Sequence, residues 1–358
     1  MQLIELHILQ SFPVSCLNRD DVGAPKTAVF GGVNRARLSS QSLKRAIREF
    51  AQDNLPAARF GGERTKLVAE AIKQVLEKKH LLPSERALTM ACAVVGVINK
   101  KDGKPLSEAV PELETLFFTS PKQTEALADA ALAAFGPSGE IKADKKTFVK
   151  AVNAEGLSDA ADIALFGRMV ASDHSLTLEG AAMFGHALST HRSDNDLDFF
   201  TAIDDRKPAG DDAGAAMMGT LEFSSAVYYR YVALNLGLLA DAAHLGKLSA
   251  DDRRAVVNAF IRATLQAVPG ARKNSMNAHT LPAYVLGTYK SAGQPVQLIN
   301  AFEQPIAGRA GLLGVSVETL KAHHAQLKKT WDITCETEVA LPEVTLNEFC
   351  AALTHHVL

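Results

Sequence analysis

Cysteine is scarce and dispersed in this chain. Cys16, Cys92, Cys335 and Cys350 form no C-x-x-C pair. Neither a disulfide framework nor a zinc site is expected, and the thiols read as buried or free groups of a reducing compartment. Long apolar runs are missing too: none approaches the ~20 residues that span a bilayer. The opening MQLIELHILQ carries Glu5 and no basic n-region, so it does not read as a secretory signal, and a cytoplasmic protein without membrane contact is expected. The histidine pairs His186/His191, His323/His324 and His355/His356 have neither i,i+4 spacing nor companion cysteines, so no metal and no cofactor is expected. Net charge is nearly absent, with 38 Lys and Arg against 40 Asp and Glu. That balance argues against a generically basic, histone-like binder. It leaves room for one basic groove, because binding follows the local field rather than the sum.

What is present is an ordinary globular composition, 47% hydrophobic and 22% charged over 358 residues, long enough for one large domain or two. Against the neutral total, one stretch stands out. Between Arg35 and Arg48 lie five cations (Arg35, Arg37, Lys44, Arg45, Arg48) and no acid. Ser39, Ser40 and Ser42 announce a helix start there, and a helix N-terminus followed by lysine and arginine suits phosphate groups. The alternative is a capped amphipathic helix with a solvated basic face.

Residues 2–12 alternate like a strand with one apolar face. A turn-rich segment follows, then a second strand near Asn34–Leu38. A helix from about Ser40 to Phe50 has Leu43, Ile47 and Phe50 on one side. From about 63 to 165 the pattern is helical with little strand signal. Residues 190–222 hold eight acids and three basic residues around a Gly/Ala/Met stretch, the pattern of a long β-hairpin. The sequence predicts an α+β fold with a helical insertion.

SCLNRDD, FGG, RARLSSQSLKRA, GRM, THRSDNDLDFFTAIDD, GTLEFSSAVYYRY and VPGA, in that order, resemble the CasC family, the backbone subunit of the type I-E CRISPR Cascade complex within the RAMP superfamily. The likeness spans most of the chain and is weakest in the helical insertion and the C-terminal third. It implies a modified RNA-recognition-motif (ferredoxin-like) palm with a helical fingers insertion and a β-hairpin thumb. On this chain the palm would be 1–60 with 223–358, the fingers 61–188 and the thumb 189–222. It further implies a non-catalytic scaffold whose partners are crRNA, a target DNA strand, other Cascade subunits and further copies of itself. Those copies would form a head-to-tail filament of about six, with about every sixth guide nucleotide flipped out, and sequence reading delegated to base pairing.

The resemblance assigns guide-RNA contacts to Arg19, Lys26, Ser39, Gln41, Lys44, Arg45 and Arg48. It adds Met169 in GRM, Phe200 and Thr201 on the thumb, and Arg272 and Lys273 after VPGA. Phe199, Phe200, Ile203, Met217 and Met218 are the apolar thumb residues suited to base faces or to a neighbouring subunit. Adjacent strand residues face opposite ways, so Phe199 and Phe200 can divide base contact and packing between them. Lys142, Lys145, Lys146 and Lys150 form a lysine stripe that reads either as non-specific DNA contact or as a solvated helix face. The Asp20–Asp21 pair raises metal-dependent RNA cleavage as the alternative function; ordering of its own loop is the other reading.

Overall fold

The computed structural model describes residues 1–99, 106–135, 144–170, 174–202, 217–308 and 311–357. The chain opens with β1 (Leu3–Ser15), β2 (Thr27–Phe30) and β3 (Val33–Leu38), then enters α1 (Ser40–Asn54). Next come β4 (Glu63–Thr65), α2 (Val68–His80), α3 (Ser84–Asn99) and β5 (Phe117–Thr119). α4 (Pro121–Ala134), α5 (Lys145–Glu155) and α6 (Ala161–Phe166) close the helical stretch. Strand structure resumes with β6 (Ala182–Phe184), β7 (Ala187–Ser189), β8 (Asp196–Ala202) and the long β9 (Met217–Asn235). α7 (Leu236–Leu239), α8 (Ala250–Gln266), α9 (Lys273–Met276) and β10 (Tyr284–Lys290) follow, then α10 (Leu312–Thr330), β11 (Thr337–Leu341) and α11 (Leu346–Thr354).

Two units emerge. The first comprises Met1–Phe50, Phe184–Ala233 and Ile261–His356. It is built on a sheet ordered β11-β10-β1-β9-β7-β3-β2, to which β6 and β8 add by pairing with β9. The ladders joining β1 to β10, β10 to β11, β2 to β3, β3 to β7, and β9 to β7 and β8 are antiparallel. This is the expected α+β architecture, with the sheet as its palm.

β1 is buried on both faces, not on one. Leu3, Ile4, Leu6, Ile8 and Leu9 are fully enclosed, and so are Glu5 and His7. A carboxylate and an imidazole inside a sheet must be satisfied there. Glu5 pairs with the equally buried Lys290, and its Oε1 accepts from the Tyr231 hydroxyl at 2.6 Å and Val296 N–H at 2.7 Å. His7 Nδ1 meets the Tyr229 hydroxyl at 2.9 Å. Burial, reinforced by His324 and Lys290, holds His7 down to about 3, so it is neutral at any physiological pH.

The second unit comprises Ala51–Met183, Leu234–Phe260 and Val357–Leu358. Its core packs apolar faces of α2 to α5, with Ile72, Leu76, Val94, Leu127 and Phe148 at its centre. β4 and β5, strands of only three residues, pair antiparallel beside it. Residues 234–260, expected with the palm, lie in this helical unit. The reason is packing: Phe260 is buried with its ring 6.2 Å from that of Phe166, and Arg59 pairs with Asp252 at 2.5 Å.

Candidate nucleic-acid interface

The loop between β1 and β2 is ordered by its own acid. Asp20 Oδ1 accepts from Val22 N–H at 3.0 Å and Ala24 N–H at 2.9 Å, while Asp20 N–H donates to Ala24 O and Lys26 N–H to Asn18 O. The carboxylate is therefore spent on an Asx-type turn, which leaves Arg19, Asp21 and Val22 exposed at the tip. Asn18 Oδ1 accepts from Ser39 N–H at 2.8 Å, tying the loop to the start of α1.

Ser39 is the N-cap of α1. Its Oγ accepts from Ser42 N–H at 3.3 Å, and only 7% of the residue is exposed. Leu43, Ala46 and Ile47 turn inward, Gln41, Arg45 and Glu49 outward, and Lys44 and Arg48 lie at the boundary. Lys44 Nζ stands 5.2 Å from the centroid of the Phe184 ring. Arg45 Nε pairs with Glu49 at 2.7 Å. That pair is well exposed, so it contributes less than about 1 kcal/mol and yields readily to a phosphate.

Between the loop and the helix lies an open cleft of 820 Å³. Residues 17–23 form one side, Ser42, Arg45 and Glu49 a second, and Pro269 to Ala271 a third. Arg272 follows at once, with φ of 54° in the left-handed region, and Lys273 beside it is exposed. The structure thus brings Arg19, Arg45 and the Pro269–Ala271 turn to one cleft.

Two cations of the basic stretch do different work. Arg35 is fully buried and donates to four carbonyls: Phe30 O at 3.1 Å, Ser189 O at 3.0 Å, Phe302 O at 2.8 Å and Glu303 O at 3.2 Å. Burial pulls it below its ordinary value. Gly31 makes this possible: at φ of 60°, a Cβ there would sit 1.7 Å from Glu303 O. Arg35 is thus a strut, out of reach of any surface ligand. Arg37 donates from Nε to Thr27 O at 3.1 Å, and its Nη1 lies 3.3 Å from His186 Nδ1.

On the hairpin, β8 pairs with β9 in the register Phe199↔Thr220, Phe200↔Gly219 and Thr201↔Met218. Phe200 packs its ring across Gly219, where an added Cβ would lie 2.6 Å from it. Phe199, 63% exposed, instead shares the opposite face with Leu197, Thr201 and Met218, all of them exposed. The outward aromatic of the pair is Phe199. Asn195 Nδ2 donates to Pro25 O at 3.3 Å and Glu222 Oε2 at 2.9 Å, so the hairpin base is fastened to the same loop. Ile203 lies outside the described residues.

In the helical unit, GRM is an anchor followed by a projection. Arg168 is buried, donates to Leu176 O and Gln123 Oε1 at 2.8 Å each, and is pushed by burial down to about 10. Val170 is also buried, and Met169 between them is 85% exposed. On α5, Lys146 and Lys150 share the exposed face and Lys145 is half-buried; Lys142 lies outside the described residues. Among the described residues, no group of three or more His, Cys, Asp or Glu is gathered closely enough to hold a metal ion, and no helix is long and apolar enough to cross a membrane.

Residues 4–351 match the CT1975-like protein family. The chain belongs to that family. In three dimensions it is similar to a chain of a pre-nicking CRISPR RNA-guided surveillance complex, at TM-score 0.81 and 27% identity, covering 99% of this chain and 100% of that one. A chain of a second CRISPR RNA-guided surveillance complex matches at TM-score 0.69 and 24% identity, over 96% and 93% of the two chains. No curated protein matches the sequence.

Two features of this CT1975-like chain were not readable as site residues in the sequence. One is that Phe199, not Phe200, is the outward ring of the pair, which depends on strand register. The other is the approach of Phe184 to Lys44 and of His186 to Arg37. The β3–β7 ladder creates that approach, and Arg37 and His186 stand 149 positions apart in the chain. Only a cross-strand argument finds either.

Proposed function

We propose that this chain is the non-catalytic crRNA-binding backbone subunit of a type I-E Cascade. In this reading, about six copies assemble head to tail along one guide, kink it about every sixth nucleotide, and hold the rest for pairing with a target DNA strand. The reading rests on one observation above the rest: Ser42 and Arg45 of α1, the Arg19 loop and the Pro269–Ala271 turn that leads into Arg272 and Lys273 line one open cleft, and Gln41, Lys44 and Arg48 follow on the adjoining edge of the same helix. Such a grouping of donors and cations holds a backbone without reading sequence. The full-length likeness to a chain of an RNA-guided complex supports it. Exposed Met169 and the Leu197–Phe199–Met218 face suit unstacked bases, and the α5 lysines suit non-specific contact with DNA.

Lys44→Glu with Arg48→Glu tests the clamp. Neither side chain belongs to the buried face of α1, so the subunit should stay folded while guide RNA is lost, by at least a hundredfold in affinity at about 100 mM salt. Full RNA affinity across a salt series would refute the clamp.

The alternative function, RNA cleavage by Asp20 and Asp21, is tested by incubating assembled complex with complementary RNA and Mg²⁺. The turn-forming role of Asp20 favours intact RNA. Cuts at regular six-nucleotide spacing that vanish in Asp21→Ala would replace the scaffold reading.

A further inference from the structure

The β6–β7 turn carries two side chains that the reading above does not use. Phe184, the last residue of β6, is half-buried, and the Lys44 ammonium lies 5.2 Å from its ring centroid. Two residues on, exposed His186 places Nδ1 3.3 Å from Arg37 Nη1. A guanidinium has donors only, so this contact is a hydrogen bond only if Nδ1 accepts. An accepting Nδ1 fixes the neutral ring with its proton on Nε2. Among the described residues no hydrogen bond engages that Nε2–H. Arg37 is itself steadied by its Nε bond to Thr27 O, so the order Thr27–Arg37–His186 presents an oriented neutral donor next to a cation.

The two pairs flank the start of α1. Arg37 is the last residue but one of β3, two positions before the Ser39 cap, and Lys44 lies one turn inside the helix. An aromatic face under an ammonium restricts a flexible side chain without removing its charge. A neutral N–H beside a guanidinium suits a phosphodiester or ribose oxygen, to which both can donate.

We infer that the Phe184–His186 turn is a further part of the guide-RNA contact. His186 Nε2–H donates to a backbone oxygen of the RNA. Phe184 is a positioning residue that acts through Lys44. The inference rests on the RNA-binding reading proposed above.

The test titrates full-length protein with a labelled single-stranded RNA of roughly 30 nucleotides over a salt series. His186→Ala should lose about fivefold in affinity, the share of one hydrogen bond. Its log K against log salt slope should not change, because a neutral donor releases no counterion. His186→Gln, which can accept from Arg37 and donate outward, should recover most of the loss. Phe184→Leu should lose about threefold, and that loss should vanish when Lys44→Ala is already present. Lys44→Ala alone should lower the slope by about 0.7.

If His186→Ala and Phe184→Leu bind like the parent while Lys44→Ala weakens binding and lowers the slope, this inference is overturned and the RNA reading stands. If Lys44→Ala is also without effect, the RNA reading itself fails. A His186→Ala loss that alters the slope and is not rescued by glutamine would likewise overturn the donor role. Thermal midpoints of each variant should match the parent, since His186 is exposed and leucine preserves the bulk of Phe184.

Discussion

β3 and α1 are consecutive in sequence and share the basic stretch, yet they use their cations in opposite ways. β3 turns Arg35 inward, where its guanidinium collects the carbonyls of Phe30, Ser189, Phe302 and Glu303. α1 turns Leu43, Ala46 and Ile47 inward and leaves Lys44, Arg45 and Arg48 at or near the surface. The difference is one of cover. β3 is covered on both faces, with Ala36 and Leu38 in an apolar cluster on one side and Arg35 enclosed by Ser189 and the 302–303 segment on the other, whereas α1 buries a single apolar stripe and keeps its basic residues off it. A count of positive residues therefore overstates the cations a ligand can touch, by one at Arg35 and in part at Arg37.

The largest expected effect comes from breaking the buried half of that comparison. Arg35→Ala removes the guanidinium donors from four carbonyl oxygens and leaves a cavity. It should cost about 3–5 kcal/mol in chemical denaturation, or prevent soluble expression. Arg35→Lys should rescue little, because an ammonium cannot span the same fork. A loss below about 1 kcal/mol would mean that Arg35 is not a strut. The Lys44→Glu, Arg48→Glu variant is the converse case, changing RNA affinity steeply and stability by less than about 0.5 kcal/mol.

Next in size is the division of labour on the hairpin. Phe200→Ala removes the ring that covers Gly219 and should lower stability by about 1 kcal/mol, read by thermal unfolding. Phe199→Ala should leave stability unchanged and blur the periodic nuclease protection of bound RNA. If Phe200→Ala blurs protection and Phe199→Ala does not, base contact belongs to the inner ring after all.

The main elements were legible because their periods are strong: the β1 alternation, the 3.6-residue spacing of α1, and the paired arms of the 190–222 hairpin. What misled was polarity taken as exposure. Glu5 and His7 look like the wet face of a strand until Lys290, Tyr229 and Tyr231 arrive from more than 200 residues away to satisfy them. β4 and β5 are too short to show a period at all. The placement of residues 234–260 depends on Phe260 and Asp252 finding partners near Phe166 and Arg59, which no local pattern announces. Asp20 was legible in kind, since Asx turns have a local signature, and the structure supplies the two N–H groups it holds.

The smallest effect is also the most discriminating for the α1 edge. The family resemblance gives Ser39 a phosphate contact, yet its hydroxyl is occupied by Ser42 N–H at the helix start. As a cap, Ser39→Ala should cost about 1 kcal/mol of stability, and Ser39→Asp almost nothing, because aspartate caps as well as serine. RNA affinity separates the two roles. If the hydroxyl only caps, Ser39→Ala should bind RNA within about twofold of the parent at a temperature well below unfolding. If it also donates its proton to a phosphate, Ser39→Ala should lose about fivefold and Ser39→Asp far more, by placing an anion against the backbone. Parental affinity for Ser39→Ala would leave Gln41, Lys44, Arg45 and Arg48 as the α1 residues that face RNA, and would place Ser39 with Arg35 on the structural side of the comparison.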